Sequence, residues 1–390
     1  MFLSLVSLAS CARYAFLYAG SNEFINYRHQ ADIFTIYNQL LNRGFTKENI
    51  ALYAYDDIAT DPENPFQGQV FHSLDHKTNV YPGSSAINVK GNYVTADAFN
   101  NAIKYLPTTS EDYVFIYYDN HGGAGFLGTP YGNQIYWDDI TRSFKKALSD
   151  NLYKKCLFVI EACYSGSIGK KVQVDNLAMI TSANDQQSSY ATVYDTSVGT
   201  YLTNEFTDYF IHIIDEKPSM TVGEFFNEIK SKMEMSSSCY YGDESIQEIQ
   251  LEEFIGTPTK IFTSNVRNNI KSKPVTQREA TETTLKQLAS HPKASIRAKS
   301  RLQMLHRKAQ TEKLDAVLEM IVENVDPNNF DKIMNDTESD ASLSYLEIVR
   351  VFMKRFGDVN PDDFSKFNVL KALAASHTKN EIIQAIFEVI

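Results

Sequence analysis

The stretch FVIEACYSGS, residues 158–167, decides how this chain is read. An apolar run ends in a carboxylate, Glu161, and two residues later comes Cys163, followed by Ser-Gly-Ser. A short continuous apolar run reads as a strand buried on both faces. A structural thiol would sit inside that run, whereas Cys163 stands where the strand ends and the chain turns. A second stretch, YVFIYYDNHGGAG (113–125), has the same plan: an apolar strand, then His121, then Gly122. Open parallel sheets bind their ligands at the carboxyl ends of the strands. If the two strands are neighbours, His121 and Cys163 face one another across a cleft at that edge. The attacking form of cysteine is the thiolate, which needs a base or a positive field beside it. Gly122 permits close approach of the backbone, and its N–H, with that of Cys163, is suited to a developing oxyanion.

Outward from these two stretches, further strand runs occupy 14–18, 50–55 and 179–182. Helical patterns alternate with them, such as ADIFTIYNQLLNRG (31–44), which closes on Gly44. The alternation predicts an α/β fold with a mostly parallel sheet covered by helices on both faces. Residues 57–91, rich in Pro, Gly, Asn and Asp, read as one long loop.

The chain has 390 residues and a net charge of −11, which argues against nucleic acid as the main partner. Past the first residues, no apolar run approaches the roughly 20 residues needed to cross a bilayer. The start, MFLSLVSLASCAR, has an apolar stretch and a small-x-small pattern at Ser10 and Ala12. It reads as a signal peptide at residues 1–12, cut after Ala12 and removing Cys11. Three cysteines remain, an odd number and too few for a disulfide framework. Cys156 reads as a buried thiol, with a bridge to Cys239 as the alternative. There is no CxxC and no HExxH, so neither metal nor cofactor is expected.

Charge changes sharply along the chain. Residues 1–270 hold 19 Lys and Arg against 31 Asp and Glu, net −12. Residues 271–310 hold 10 against 2, net +8, and residues 311–390 hold 8 against 15, net −7. The basic segment reads either as a solvated linker or as a segment docked by charge onto the acidic domain before it. The last region has helix periodicity, with Leu314, Val317, Leu318 and Ile321 on one face. The expected division is a signal peptide at 1–12, an acidic first domain at 13–262, a basic segment at 263–310 and a helical region at 311–390.

The stretches GSNEFINYRHQAD (20–32), DNHGG (119–123), EACYSGS (161–167) and QSSYATVYD (187–195) with TYL (200–202) resemble the legumain family of asparaginyl endopeptidases, also called vacuolar processing enzymes. The resemblance covers roughly residues 13–255. It implies a caspase-like fold and a cysteine endopeptidase cleaving after Asn, less readily after Asp. It further implies a zymogen activated by self-cleavage in an acidic compartment such as a lysosome or vacuole. By motif, Cys163 is the nucleophile, His121 the general acid and base, Asn26 the residue orienting His121, and Gly122 part of the same site. Arg28, His29, Glu161, Ser188 and Ser189 match walls of the pocket for the residue before the cleaved bond. Arg28 suits a carboxamide oxygen, and Glu161 its NH2 group. Two positions depart from the family pattern: Asn120 stands where an acid usually precedes the histidine, and Asn204, with Glu205 next, stands where the pocket usually has an acid. The resemblance makes 13–262 a cysteine peptidase domain, 263–310 a basic activation peptide or linker and 311–390 a helical prodomain. It implies as partners peptide substrates, that prodomain as inhibitor, and cystatin-type inhibitors. Asn265, Asn268 and Asn269 at the charge boundary are the candidate self-cleavage residues. The alternatives are a transamidase or peptide ligase of the same fold, and a non-catalytic legumain-like binding protein.

Overall fold

The computed structural model describes residues 12–217, 219–259 and 273–390. The expected leader up to residue 11, with Cys11, lies outside the described residues, as do Asn265, Asn268 and Asn269.

The strands are β1 (Arg13–Ala19), β2 (Ile50–Tyr53), β3 (Tyr113–Asp119), β4 (Gly122–Gly123), β5 (Phe126–Leu127), β6 (Ile135–Tyr136), β7 (Lys155–Glu161), β8 (Leu177–Thr181), β9 (Tyr190–Asp195), β10 (Thr200–Asn204), β11 (Cys239–Gly242) and β12 (Val275–Thr276). The central sheet has the order β11-β8-β7-β3-β1-β2 and is parallel except for β11. All five apolar runs read from the sequence are strands of this sheet. The edge strand β11 was not legible, because its CYYG sequence is half-buried and lacks an apolar run.

Successive side chains of a strand point to opposite faces. Leu17, Phe115, Tyr117, Leu157 and Val159 therefore enter one core. Phe16, Ile116, Tyr118, Phe158 and Ile160 enter the other. Helices α1 (Tyr27–Asn42), α2 (Ala96–Lys104), α3 (Trp137–Ser149), α4 (Gly166–Gly169), α5 (Glu205–Glu216), α6 (Val222–Lys232) and α7 (Glu252–Ile255) cover the two faces. Burial on both faces explains why the strands read as unbroken apolar runs. Helix α1 starts one turn before the sequence pattern does, and twelve of its sixteen residues are buried. That extra turn brings Arg28 and His29 into the sheet edge. Residues 57–91 hold only short 3-10 turns.

The remaining helices are α8 (Gln277–Leu288), α9 (Ala294–Val325), α10 (Phe330–Met334), α11 (Leu343–Phe356), α12 (Asn368–Ser376) and α13 (Lys379–Val389), with a 3-10 turn at Pro361–Phe367. The described part of the basic segment is thus ordered into β12, α8 and the first half of α9. The division expected at residue 310 falls inside α9. Cys156, Cys163 and Cys239 are free thiols, so the Cys156–Cys239 bridge held open above is not formed. No helix among the described residues is long and apolar enough to cross a membrane.

The helical region does not stand apart from the sheet domain. Phe126, fully buried on β5, meets Phe364 at 5.0 Å and Phe367 at 5.9 Å between ring centroids. It shares one core with Leu318, Phe352 and Leu370. Arg350 on α11 bonds Asp138 at 2.6 Å and Asp139 at 3.0 Å, and lies 4.1 Å from the centre of the Tyr136 ring. Removing a buried phenyl costs about 3–5 kcal/mol. Phe126→Ala should therefore lower the thermal midpoint of the whole chain and make the helical region the first to yield to protease. A midpoint within a degree or two of the parent would refute the shared core.

Candidate active site

Strands β3 and β7 pair in parallel with Asp119 opposite Glu161. His121 and Cys163 each lie two residues beyond that pair, so register alone brings them to the same level. Tyr164 adopts φ +57°, in the left-handed region, and its N–H donates to Gln187 O at 2.8 Å. The chain therefore leaves the strand sharply at Cys163. A Cβ on Gly122 would fall 2.5 Å from the carbonyl oxygen of Cys163. The close approach that needs this glycine is thus to the backbone of Cys163. His121, Gly122, Cys163, Tyr164 and Ser188 line one side of a cavity of about 280 Å³. Its other side is Thr276, Gln277, Arg278, Pro361, Asp362 and Ser365.

His121 Nε2 lies 2.8 Å from Asn26 Oδ1. The Asn26 amide is fixed by its Nδ2, which donates to Asn22 O at 2.9 Å. Its oxygen can only accept, so Nε2 carries the proton and Nδ1 keeps a lone pair. Nδ1 lies 3.7 Å from Asp362 Oδ1. Burial, then Arg28 and Arg307, push the imidazole well below its ordinary value. The Cys163 thiol accepts the Ser189 N–H at 3.3 Å, and burial pushes it upward. With the helical region in place, the pair is a neutral imidazole and a neutral thiol.

Arg28 is 1 % exposed, and among the described residues its hydrogen bonds all go to neutral oxygens. Its Nε donates to Asn204 Oδ1 at 3.2 Å, Nη1 to Ile25 O at 3.2 Å, and Nη2 to the side-chain oxygen of Gln277. Gln277 Nε2 donates to Ser189 Oγ and to Asn204 Oδ1, each at 3.2 Å. A carboxamide from helix α8 is therefore held by three of the residues expected to form the pocket. Glu161 is fully buried, and among the described residues neither carboxyl oxygen meets a hydrogen-bond partner. Burial pushes its carboxyl up to about 8, with the nearby Ser189 and Ser182 hydroxyls acting against the shift.

The structure brings together Asn26, Arg28, His29, His121, Gly122, Glu161, Cys163, Ser188, Ser189 and Asn204. Asn120 sits behind them, donating through Nδ2 to Gly20 O. Glu205 does not take the place of an acid at 204, because its carboxylate accepts the Glu234 N–H at 2.9 Å instead. Asp119 comes closest to that role. It accepts from Asn204 Nδ2 at 2.9 Å and contacts His29 Nδ1 at 2.6 Å. Sequence reading missed Asp119, Gln277 and Asp362. For Asp119 the signal was present, an acid closing an apolar strand two residues before His121. For Gln277 it was weaker: the Thr276 and Glu279 capping box makes it the first residue of a helix. Asp362 had none. Among the described residues, no group of three or more His, Cys, Asp or Glu is placed to hold a metal.

Comparison with known proteins bears on this geometry. The family model described as the peptidase C13 family matches residues 13–257. A hemoglobinase of Schistosoma japonicum is 32% identical over 274 residues, covering 67% of this chain and 64% of that protein. Legumain of Mus musculus is 32% identical over 254 residues, covering 61% of this chain and 58% of that protein. The chain thus spans less than two thirds of the length of these relatives. Among solved structures, caspase-1 from Spodoptera frugiperda aligns with a TM-score of 0.40 and 11% identity, covering 64% of this chain and 92% of that one.

The raised Glu161 carboxyl links stability to pH. Folded chain keeps a proton that an unfolded Glu releases near pH 4.3. The stability this gives is lost as pH rises through about 8. His29 and His121, both depressed by burial, act in the opposite sense, but only below the ordinary histidine value of about 6.5. In a Cys163→Ser background, the thermal midpoint should therefore fall between about pH 6.5 and about pH 8. Glu161→Gln should flatten that fall, and parallel slopes for the two proteins would contradict the assignment.

Proposed function

The chain belongs to the peptidase C13 family, and from that premise we propose that it is a cysteine endopeptidase that cleaves on the carboxyl side of Asn, less readily of Asp, and is held as a zymogen by its own C-terminal region. Cys163 attacks the scissile carbonyl while His121 Nδ1 takes the thiol proton. The oxyanion is met by the N–H groups of Gly122 and Cys163. His121 then donates to the leaving amine, and water releases the peptide from the thioester. Asn26 holds the imidazole in the tautomer this requires.

The observation that carries the specificity is the seating of Gln277. Its carboxamide oxygen meets Arg28, and its NH2 group meets Asn204 and Ser189. An Asn side chain offers the same groups on a stem one methylene shorter. A pocket built from such partners rejects side chains that leave them unpaired. Gln277 is the first residue of α8. Its following peptide bond turns into a helix rather than running extended past Cys163, which suits an inhibitor that is not cut.

Lys299 with Glu63 at 2.8 Å, Arg350 with Asp138, and Asp340 with Lys171 tie the helical region to the sheet domain, while Arg278 with Asp363 and Arg307 with Asp362 brace the helical region internally. They do not respond alike to acid. Arg350 and Arg142 hold the Asp138 carboxyl below the usual range despite its partial burial. That docking contribution is present above the ordinary Asp value and is lost as pH falls through the lowered one. Burial raises the Glu63 carboxyl against the pull of Lys299, so acid acts at that contact in the opposite sense. The acid-labile contact is thus Arg350 with Asp138. Release followed by self-cleavage in acid suits an active form that works in an acidic compartment of the secretory pathway.

Purified full-length chain held at about pH 4, near the ordinary carboxylate values, should shorten, and Cys163→Ser should not. The shortened product should cleave fluorogenic tripeptides with Asn before the reporter in preference to Asp, and Gln, Ala or Lys poorly. Persistence of the full-length chain, equal loss in the variant, or absence of cleavage after Asn would overturn this reading.

A further inference from the structure

The segment that fills the cleft also reads out a subsite. Strand β12 pairs antiparallel with β9, Thr276 opposite Tyr190 and Val275 opposite Ala191. The next residue, Gln277, reaches Ser189 beside Cys163. The chain therefore enters in the direction of a substrate, with Gln277 at the position before the cleaved bond, Thr276 one residue earlier and Val275 two residues earlier. The proposal below rests on the peptidase reading above.

Val275 packs in a small cluster of its own with Ala191, Tyr194, Tyr201 and Ala280. Ala280 belongs to the same inserted segment. The peptidase domain supplies Ala191 as a floor and a pair of tyrosines as a wall. Their ring centroids lie 5.0 Å apart at an interplanar angle of 61°. Tyr194 and Tyr201 face one another across the β9–β10 pairing, in direct register. The hairpin therefore fixes the wall independently of what occupies it. Ala191 and Tyr201 are buried, at 0 % and 7 % exposed. Extended peptides that add a strand to a sheet edge gain affinity from the backbone and specificity from such side-chain contacts.

We propose that Ala191, Tyr194 and Tyr201 form a subsite selecting an aliphatic, β-branched residue two positions before the cleaved Asn, so that substrates carry an aliphatic-x-Asn sequence. A valine there covers both rings and releases water from them. Glycine leaves the rings wet, and a charged side chain would lose its hydration against the apolar wall.

The test uses acid-processed protein and peptides X-Thr-Asn-reporter with X as Val, Gly, Lys or Asp. Val should exceed Gly in kcat/KM by about tenfold or more, the scale of filling an apolar subsite, and chiefly through KM. Lys and Asp should fall at or below Gly. Tyr194→Ser and Tyr201→Ser should each bring the Val to Gly ratio towards one. That ratio is measured on a single preparation, so it does not depend on how much of a variant folds. Cleavage of all four peptides at similar rates would overturn the subsite, as would a ratio unchanged in both variants, and either result would leave the cleavage after Asn intact. Absence of cleavage of every Asn peptide would instead strike the peptidase reading.

Discussion

The in-register pairing of β3 with β7 is the constraint on which the rest depends. It sets Asp119 opposite Glu161, so the two strands deliver His121 and Cys163 two positions further on, at one height above the sheet. No loop has to find this geometry, because the hydrogen-bond ladder of two fully buried strands imposes it. A slip of one residue would turn every side chain to the opposite face and separate imidazole from thiol. The burial that secures the register also removes solvent from the site, which is why thiol, imidazole and carboxyl all shift toward their neutral forms there.

A fully buried guanidinium without a carboxylate in contact is costly unless its donors are met. Arg28 solves this with three oxygens: a backbone carbonyl, the Asn204 amide and the Gln277 side chain. Only the first two belong to the sheet domain. The third comes from the helical region, so the Arg28 fork is complete only when a carboxamide is supplied from outside the domain. Under the proposed function, a substrate Asn would offer Arg28 the same acceptor oxygen that the inserted Gln277 offers, so inhibition and recognition would answer one physical demand.

The helical region is held by two kinds of contact that answer differently to conditions. The shared aromatic core around Phe126 is indifferent to proton concentration. The ion pairs are not, and their signs are mixed, since a carboxyl lowered by a partner and one raised by burial respond oppositely. Acid alone therefore loosens one edge, at Arg350 and Asp138, without dissolving the core.

The sequence by itself determined the five apolar strands, their parallel arrangement under helices, the position of His121 and Cys163 just past two strand ends, and the charge reversal near residue 271. All of these rest on local pattern: continuous apolar runs, glycine after a strand end, and composition. Arg28 and Glu161 were singled out through family resemblance, since neither has a local signature. What only the tertiary structure decided is how distant segments meet. Gln277 reaches Arg28 across 249 residues, Asp119 stands behind Asn204, and Asp362 faces His121. Those meetings depend on the packing of α8 and the 361–367 turn against the sheet edge. Hydrophobic period and capping signals say that such elements form, but not which buried donor each will find.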